Sequence, residues 1–185
     1  MSAHRFIAFL DRDGTVIDTD VREGLPVAIQ GSDRVALLPG AEAACARLRN
    51  AGYLLVLVTN QPDVARGLAS RSEIEALNNR LLDTLGLDLA LTCFHDDVDS
   101  CDCRKPAPGL LLAGAEAFNV RLDRDSVMIG DRWRDVGAGH AAGVSTVFID
   151  RKYAESVRTA PDYRAESISD AADWVLNRRE SSVRS

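Results

Sequence analysis

The sequence predicts a three-layer α/β sandwich around one mostly parallel sheet. Three observations carry that expectation. Short apolar runs, rich in aromatic and branched residues, end abruptly in polar groups, as strands covered on both faces do. These runs alternate with helical stretches, and strand–helix alternation implies parallel pairing. Chemically active residue types follow the apolar runs, where an open parallel sheet presents its carboxyl edge.

The first strand is expected over residues 6–10 and stops at Asp11. A helix over 41–50 closes at Gly52, and Cys45 on it reads as a small core residue. Residues 53–58 form the second strand. A helix over 72–85 closes at Gly86, with Ser70 and Glu73 at capping-box spacing. The interval 61–104 is filled by that helix and a cysteine loop. A third helix opens at Pro108-Gly109 and runs to Phe118, with Asn119 as its stop. Strands over 127–129 and 146–149 flank a helix over 135–142 that ends before Gly143. The last helix spans 169–179, and the tail 180–185 is expected to fray.

A chain of 185 residues, 46% hydrophobic, is the size of one domain and can bury its own core. A formal net charge of −6, with scattered basic residues, argues against broad binding to nucleic acid or an anionic membrane. Any anionic substrate must therefore meet a local cluster. Met1 to Arg5 lead into too few apolar residues for a signal peptide or a membrane span, so a cytoplasmic location is expected. The four cysteines then read as thiols or metal ligands. The expected state is a monomer.

Asp11 stands where the first strand ends, and Asp13 two residues on can face the same cavity after a small twist of the loop. One carboxylate can attack phosphorus while the other gives and takes the proton. Gly14 permits the tight turn. Asp131 and Asp135 add hard oxygens on the opposite side, and a site of carboxylates and water suits Mg²⁺, with Asp11, Asp13, Asp131 and Asp135 as candidate ligands. Thr59 and Asn60 offer neutral donors to phosphoryl oxygens, and Lys105 offers a compact positive charge. An Asp-Gly pair alone is a common turn and a lone lysine is ordinarily solvated. Their combination after strands is what points to phosphoryl transfer.

In this order, Asp11-Arg-Asp-Gly-Thr, Thr59, Lys105 and Gly130-Asp131 through Asp135 resemble the four motifs of the haloacid dehalogenase-like phosphatase superfamily. The resemblance covers about residues 6–150 and implies a nucleophile at Asp11, an acid/base at Asp13 and a magnesium ligand at Asp131. It also implies a Rossmann-like sheet. Asp13, which the dehalogenase branch lacks, points to phosphate esters. Cap domains are frequent in this superfamily, but residues 16–38 are too few to fold alone, so a capless enzyme with an open site is expected.

Cys93 and His95, and Cys101 and Cys103, are pairs separated by one residue, so each pair points to one side of extended backbone. Facing one another they make a Cys₃His site suited to a structural Zn²⁺, and Arg104 and Lys105 follow at once. These pairs ahead of Arg104-Lys105-Pro106 resemble the subgroup of heptose-bisphosphate and histidinol-phosphate phosphatases. Thr59-Asn60-Gln61, Ala65-Arg66-Gly67 and the stretch 171–176 favour the heptose branch, with histidinol phosphate as the alternative substrate. By resemblance Arg104 contributes to substrate recognition and Lys105 to phosphoryl stabilisation; Asn60, Gln61 and Arg132 join the substrate-binding set, and Arg66 and Arg22 are added candidates for a second phosphate. A reading of another class is a phosphoaccepting receiver-like module, which would have no use for Asp13 or a zinc loop. Gly137, Gly139 and Gly143 read as close helix packing, Trp133 as packing, and His4 and His140 lack partners at ligand spacing.

Overall fold

The computed structural model describes residues 6–27 and 35–183. His4 and residues 184–185 of the expected frayed tail lie outside them. The chain runs β1 (Phe6–Leu10), β2 (Asp20–Arg22), β3 (Leu25–Val27), α1 (Ala41–Asn50), β4 (Tyr53–Asn60), α2 (Arg71–Leu85), β5 (Leu89–Cys93), α3 (Gly109–Ala117), β6 (Val127–Gly130), α4 (Trp133–Ala142), β7 (Ser145–Ile149), β8 (Tyr163–Ala165) and α5 (Ile168–Val183). Six strands form one parallel sheet in the order β5-β4-β1-β6-β7-β8, and β2 and β3 pair separately as an antiparallel hairpin.

The apolar runs behave as doubly covered strands because side chains on both faces of β1, β4 and β6 are buried. Ala8, Leu10, Leu55 and Leu57 pack against α1 and α5 residues such as Leu48 and Val175 on one face. Ile7, Phe9, Val56 and Met128 meet Leu111 and Ala138 on the other. Cys45 is buried in the first of these clusters. Gly139 allows α4 to lie on the sheet, since a Cβ there would stand 2.5 Å from Thr146.

Several boundaries differ from the sequence expectation. The helix α4 begins two residues early because the Asp135 carboxylate accepts the Arg132 backbone N–H and caps it. At α2, Ser70 is the N-cap residue but makes no side-chain cap bond; its hydroxyl pairs with Ser72 instead, so the expected capping box is absent. The final helix extends through 180–183 rather than fraying at 180. β5 and β8 are additional strands at the two edges. Among the described residues, the stretch between β1 and α1 contributes only the β2–β3 hairpin, and no inserted cap stands over the carboxyl edge.

Candidate active site

The carboxyl ends of the adjacent central strands β4, β1 and β6 form the floor of the site. Register sets Leu10 beside both Leu57 and Ile129, so Asp11 emerges between the two neighbouring strand ends. Its backbone N–H donates to the Ile129 carbonyl at 2.9 Å. Thr59 and Asn60 end β4, Asp131 follows β6, and Asp135 lies in the first turn of α4. Lys105 arrives from the loop between β5 and α3. A cleft of about 360 Å³ opens here, lined among others by Asp11, Asp13, Thr59, Asn60, Lys105 and Asp135.

Lys105 is 2% exposed, and its ammonium reaches Asp11 Oδ1 at 2.7 Å, Asp135 Oδ1 at 2.6 Å and the Val58 carbonyl at 2.8 Å. Burial works against its charge, but Asp11 and Asp135 outweigh it and hold its pKa above the ordinary lysine value. Burial, opposed by Lys105 and reinforced by Asp135, raises the Asp11 carboxyl. Asp131 is pushed well above the usual carboxylate range by burial and by the charges of Asp11 and Asp135.

Ligand oxygens of Asp11, Asp131 and Asp135 lie within 4.8 Å of one another. Thr15 hydroxyl donates to Asp131 Oδ1 at 3.4 Å, while Oδ2 is buried with no hydrogen-bond partner among the described residues, the likewise buried Tyr153 hydroxyl lying near it. An unpartnered, buried carboxylate oxygen among two further carboxylates is stabilised by a cation, and the all-oxygen donor set fits Mg²⁺. Glycines make room for this crowding. Gly14 adopts φ +81°, and a Cβ on it would stand 2.0 Å from Asp131 Oδ2.

Several of the expected residues hold one another in place across the cleft. The Asp13 carboxylate lines the cleft and accepts from Arg12 and Gln61, beside the closer cluster of Asp11, Asp131 and Asp135. Asn60 was expected to donate to phosphoryl oxygens. In the structure its amide donates to the Lys105 carbonyl at 3.0 Å and its Oδ1 accepts the Lys105 N–H at 3.1 Å, so Asn60 clamps the lysine backbone. The Gln61 amide donates to Asp13 Oδ2 and to Thr59 Oγ1, each at 2.8 Å, and ties these two side chains together at the cleft.

The arginines at the mouth all carry carboxylate partners. Arg66 forks onto Asp96 at 2.6 and 2.7 Å, Arg132 forks onto Glu155 at 2.6 and 2.8 Å, and Arg104 pairs with Asp97 at 2.7 Å. These three and Arg134 line the cleft, whereas Arg22, on the outer hairpin, does not. Arg12 and Arg134 were not anticipated. Arg12 had a readable signal, a charged residue locked between two aspartates at a buried strand end. Arg134 had none, because only the fold brings it to Asp97 and the Lys105 carbonyl. Trp133 is held between Arg134 and Arg158, a packing role, and the His140 ring nitrogen meets the Ala160 carbonyl.

Cys93 ends β5, and His95, Cys101 and Cys103 turn back onto it. Adjacent ligand atoms are 3.6 Å (Cys93–His95), 3.7 Å (Cys93–Cys101), 3.3 Å (His95–Cys103) and 3.4 Å (Cys101–Cys103) apart. Tetrahedral zinc with Zn–S of about 2.3 Å and Zn–N of about 2.0 Å needs edges of roughly 3.5–3.8 Å, so the four groups fit that ion with small adjustments. Between them Asp96 and Asp99 cap a single 3₁₀ turn over Asp97–Asp99, which gives the loop internal order.

A family model for haloacid dehalogenase-like hydrolases matches residues 25–143, and the chain belongs to that family. It is 36% identical over 181 residues to the D-glycero-beta-D-manno-heptose-1,7-bisphosphate 7-phosphatase of Yersinia pestis, covering 91% of this chain and 88% of the relative. The enzyme of the same name from Escherichia coli strain K12 is 34% identical, with coverage of 91% and 87%. Among solved structures, D,D-heptose 1.7-bisphosphate phosphatase from B. bronchiseptica, complexed with magnesium and phosphate, superposes with a TM-score of 0.78 at 27% identity, covering 95% of this chain and 99% of that one.

Proposed function

We propose that this chain is a magnesium-dependent phosphatase that removes the 7-phosphate of D-glycero-beta-D-manno-heptose 1,7-bisphosphate through an aspartyl phosphate on Asp11. The observation that carries the reading is the geometry at the end of β1: Asp11 and Asp13 open on one cleft, Lys105 Nζ sits 2.7 Å from Asp11, and an unpartnered Asp131 oxygen lies behind. The sugar is carried by the relatives named above and by their nearly full-length coverage.

In the first half-reaction an Asp11 carboxylate oxygen bonds to phosphorus as the ester P–O bond breaks, and Asp13 gives its proton to the departing alkoxide. In the second, Asp13 takes a proton from a water that bonds to phosphorus, which releases inorganic phosphate and restores the Asp11 carboxylate. Thr59 accepts from Gln61, leaving its own hydroxyl proton for a phosphoryl oxygen. Lys105 offsets the charge of Asp11 and of the phosphoryl group. Magnesium held by Asp11, Asp131 and Asp135 supplies charge neutralisation and orientation of the phosphate.

The Cys93, His95, Cys101 and Cys103 cluster takes a structural zinc in this reading, with all four positions filled by protein. Its value to the reaction is positional, since Cys103 leads directly into Arg104 and Lys105. Arg104 and Lys105 meet the substrate, and the enzyme works as a monomer on a small diffusible sugar. Steady-state phosphate release from heptose bisphosphates, other sugar phosphates and histidinol phosphate tests the proposal. A higher kcat/KM for the heptose bisphosphate is expected; preference for histidinol phosphate would replace the substrate, and no release from any would remove the activity.

A further inference from the structure

Arg12 sits between the two aspartates that line the cleft, yet its own side chain is 2% exposed. Buried arginines require partners, and this one has committed all of its described hydrogen bonds to positioning. Nε donates to Asp13 Oδ2 at 3.1 Å and Nη2 to Oδ1 at 3.2 Å, with Nη2 also 3.0 Å from Oδ2, while Nη1 donates to Asn78 Oδ1 at 3.1 Å. Asn78 in turn donates to Thr92 Oγ1 at 2.9 Å, so the guanidinium is tied to α2 and through it to β5. The Arg12 carbonyl accepts the N–H groups of Val16 and Ile17, which anchors the turn of the loop in the same residue.

Counting lone pairs on Asp13 gives this arrangement a chemical meaning. A carboxylate offers about two acceptor sites on each oxygen. Oδ2 receives Arg12 Nε and Gln61 Nε2, whereas Oδ1 receives Arg12 Nη2 alone among the described residues. Asp13 faces the cleft with its side chain 21% exposed. The oxygen left with an open site toward substrate is Oδ1.

We infer that Arg12 is a positioning residue for proton transfer, clamping Asp13 so that Oδ1 is the atom that gives the proton to the leaving alkoxide and later takes one from water. The inference rests on the phosphatase reading above and adds which residue holds the acid and which oxygen acts. It distinguishes Arg12 from a buried cation that serves only the fold: a positioning role affects leaving groups that need a proton and spares those that do not.

The test is first-turnover release of the leaving group from an alkyl ester, a hexose phosphate, and from p-nitrophenyl phosphate, in wild-type enzyme and Arg12→Met with magnesium present. For the alkyl ester the expected fall is about 10–100-fold with KM held within about threefold, because misaligned acid–base groups lose of that order. Nitrophenolate needs no proton, so its first-turnover release should change by less than about threefold and appear as a burst, with later turnover slowed where Asp13 must activate water. Arg12→Lys, a point charge without the fork, should fall between. Equal losses with both esters, or no loss with either, would overturn the inference. If Arg12→Met does not fold, Asn78→Ala decides: it loosens the guanidinium from outside the cleft, and an unchanged alkyl-to-aryl ratio there overturns the inference as well. Wild-type enzyme inactive on both esters would instead remove the phosphatase reading.

Discussion

Replacing Asp131 by Asn should make the metal-free protein more stable while destroying its function. The site gathers three buried carboxylates, Asp11, Asp131 and Asp135, against one buried ammonium, Lys105. Lys105 pairs with Asp11 and Asp135, whereas Asp131 makes no ion pair among the described residues and its Oδ2 has no hydrogen-bond partner among them; the Tyr153 hydroxyl and Arg132 nearby only partly offset its burial. A buried unsatisfied group costs about 1–3 kcal/mol, more when charged, and the neutral amide removes that cost and can donate to its carboxylate neighbours. At about 2–4 °C per kcal/mol for a chain of this size, the variant should melt roughly 2–12 °C above the metal-free wild type. Differential scanning fluorimetry with chelator and with MgCl₂, at a pH where Asp131 is ionised, reads this directly. Wild type should gain stability with magnesium and the variant should gain little, with turnover lower on the order of 100-fold or more. A lower melting temperature in the metal-free variant, or an undiminished response to magnesium, would refute the reasoning.

Folded-state pKa values of Asp11 and Asp131 lie above their unfolded values, so their contribution to metal-free stability is present at low pH and is lost as pH rises through the raised values. Magnesium competes with those protons, and its stabilising effect should therefore grow as pH rises through the raised carboxyl range, measured as melting temperature with and without the ion. Asn60→Ala removes both hydrogen bonds to the Lys105 backbone; stability should fall by about 1–3 kcal/mol in urea titration and kcat by about tenfold with little change in KM. A rise in KM alone would return Asn60 to direct substrate contact. Stripping zinc from the thiol loop should lower activity by releasing Lys105, with recovery on adding zinc back; full turnover in a preparation shown to be zinc-free contradicts the loop's role.

What the sequence reveals here is local, and what it hides is pairing. Strand ends at Leu10 and, to within one residue, at Gly130 were legible because apolar runs stop abruptly before Asp11 and Asp131. The edge strand β5 was not, since Leu89–Cys93 is only half-buried and its alternation is too weak to separate it from a loop. β8 spans only Tyr163–Ala165, too short to leave a periodic signal. The types of residue in the site could be read from the motif spacing, but the partner each side chain takes could not. Asn60 and Gln61 have the donors a phosphate needs, yet packing brings Lys105 and Asp13 within reach first. Likewise Arg66, Arg104 and Arg132 read as open cations until the fold supplies Asp96, Asp97 and Glu155.

The central claim is that Asp11 carries the phosphoryl group during turnover. Acid quenching of the enzyme during steady-state hydrolysis, followed by peptide mass spectrometry, measures it directly. The account predicts one added phosphoryl group on Asp11, dependent on magnesium and lost with all turnover in Asp11→Asn. Wild-type-like turnover in that variant, or a phosphoryl group on another residue, would contradict it.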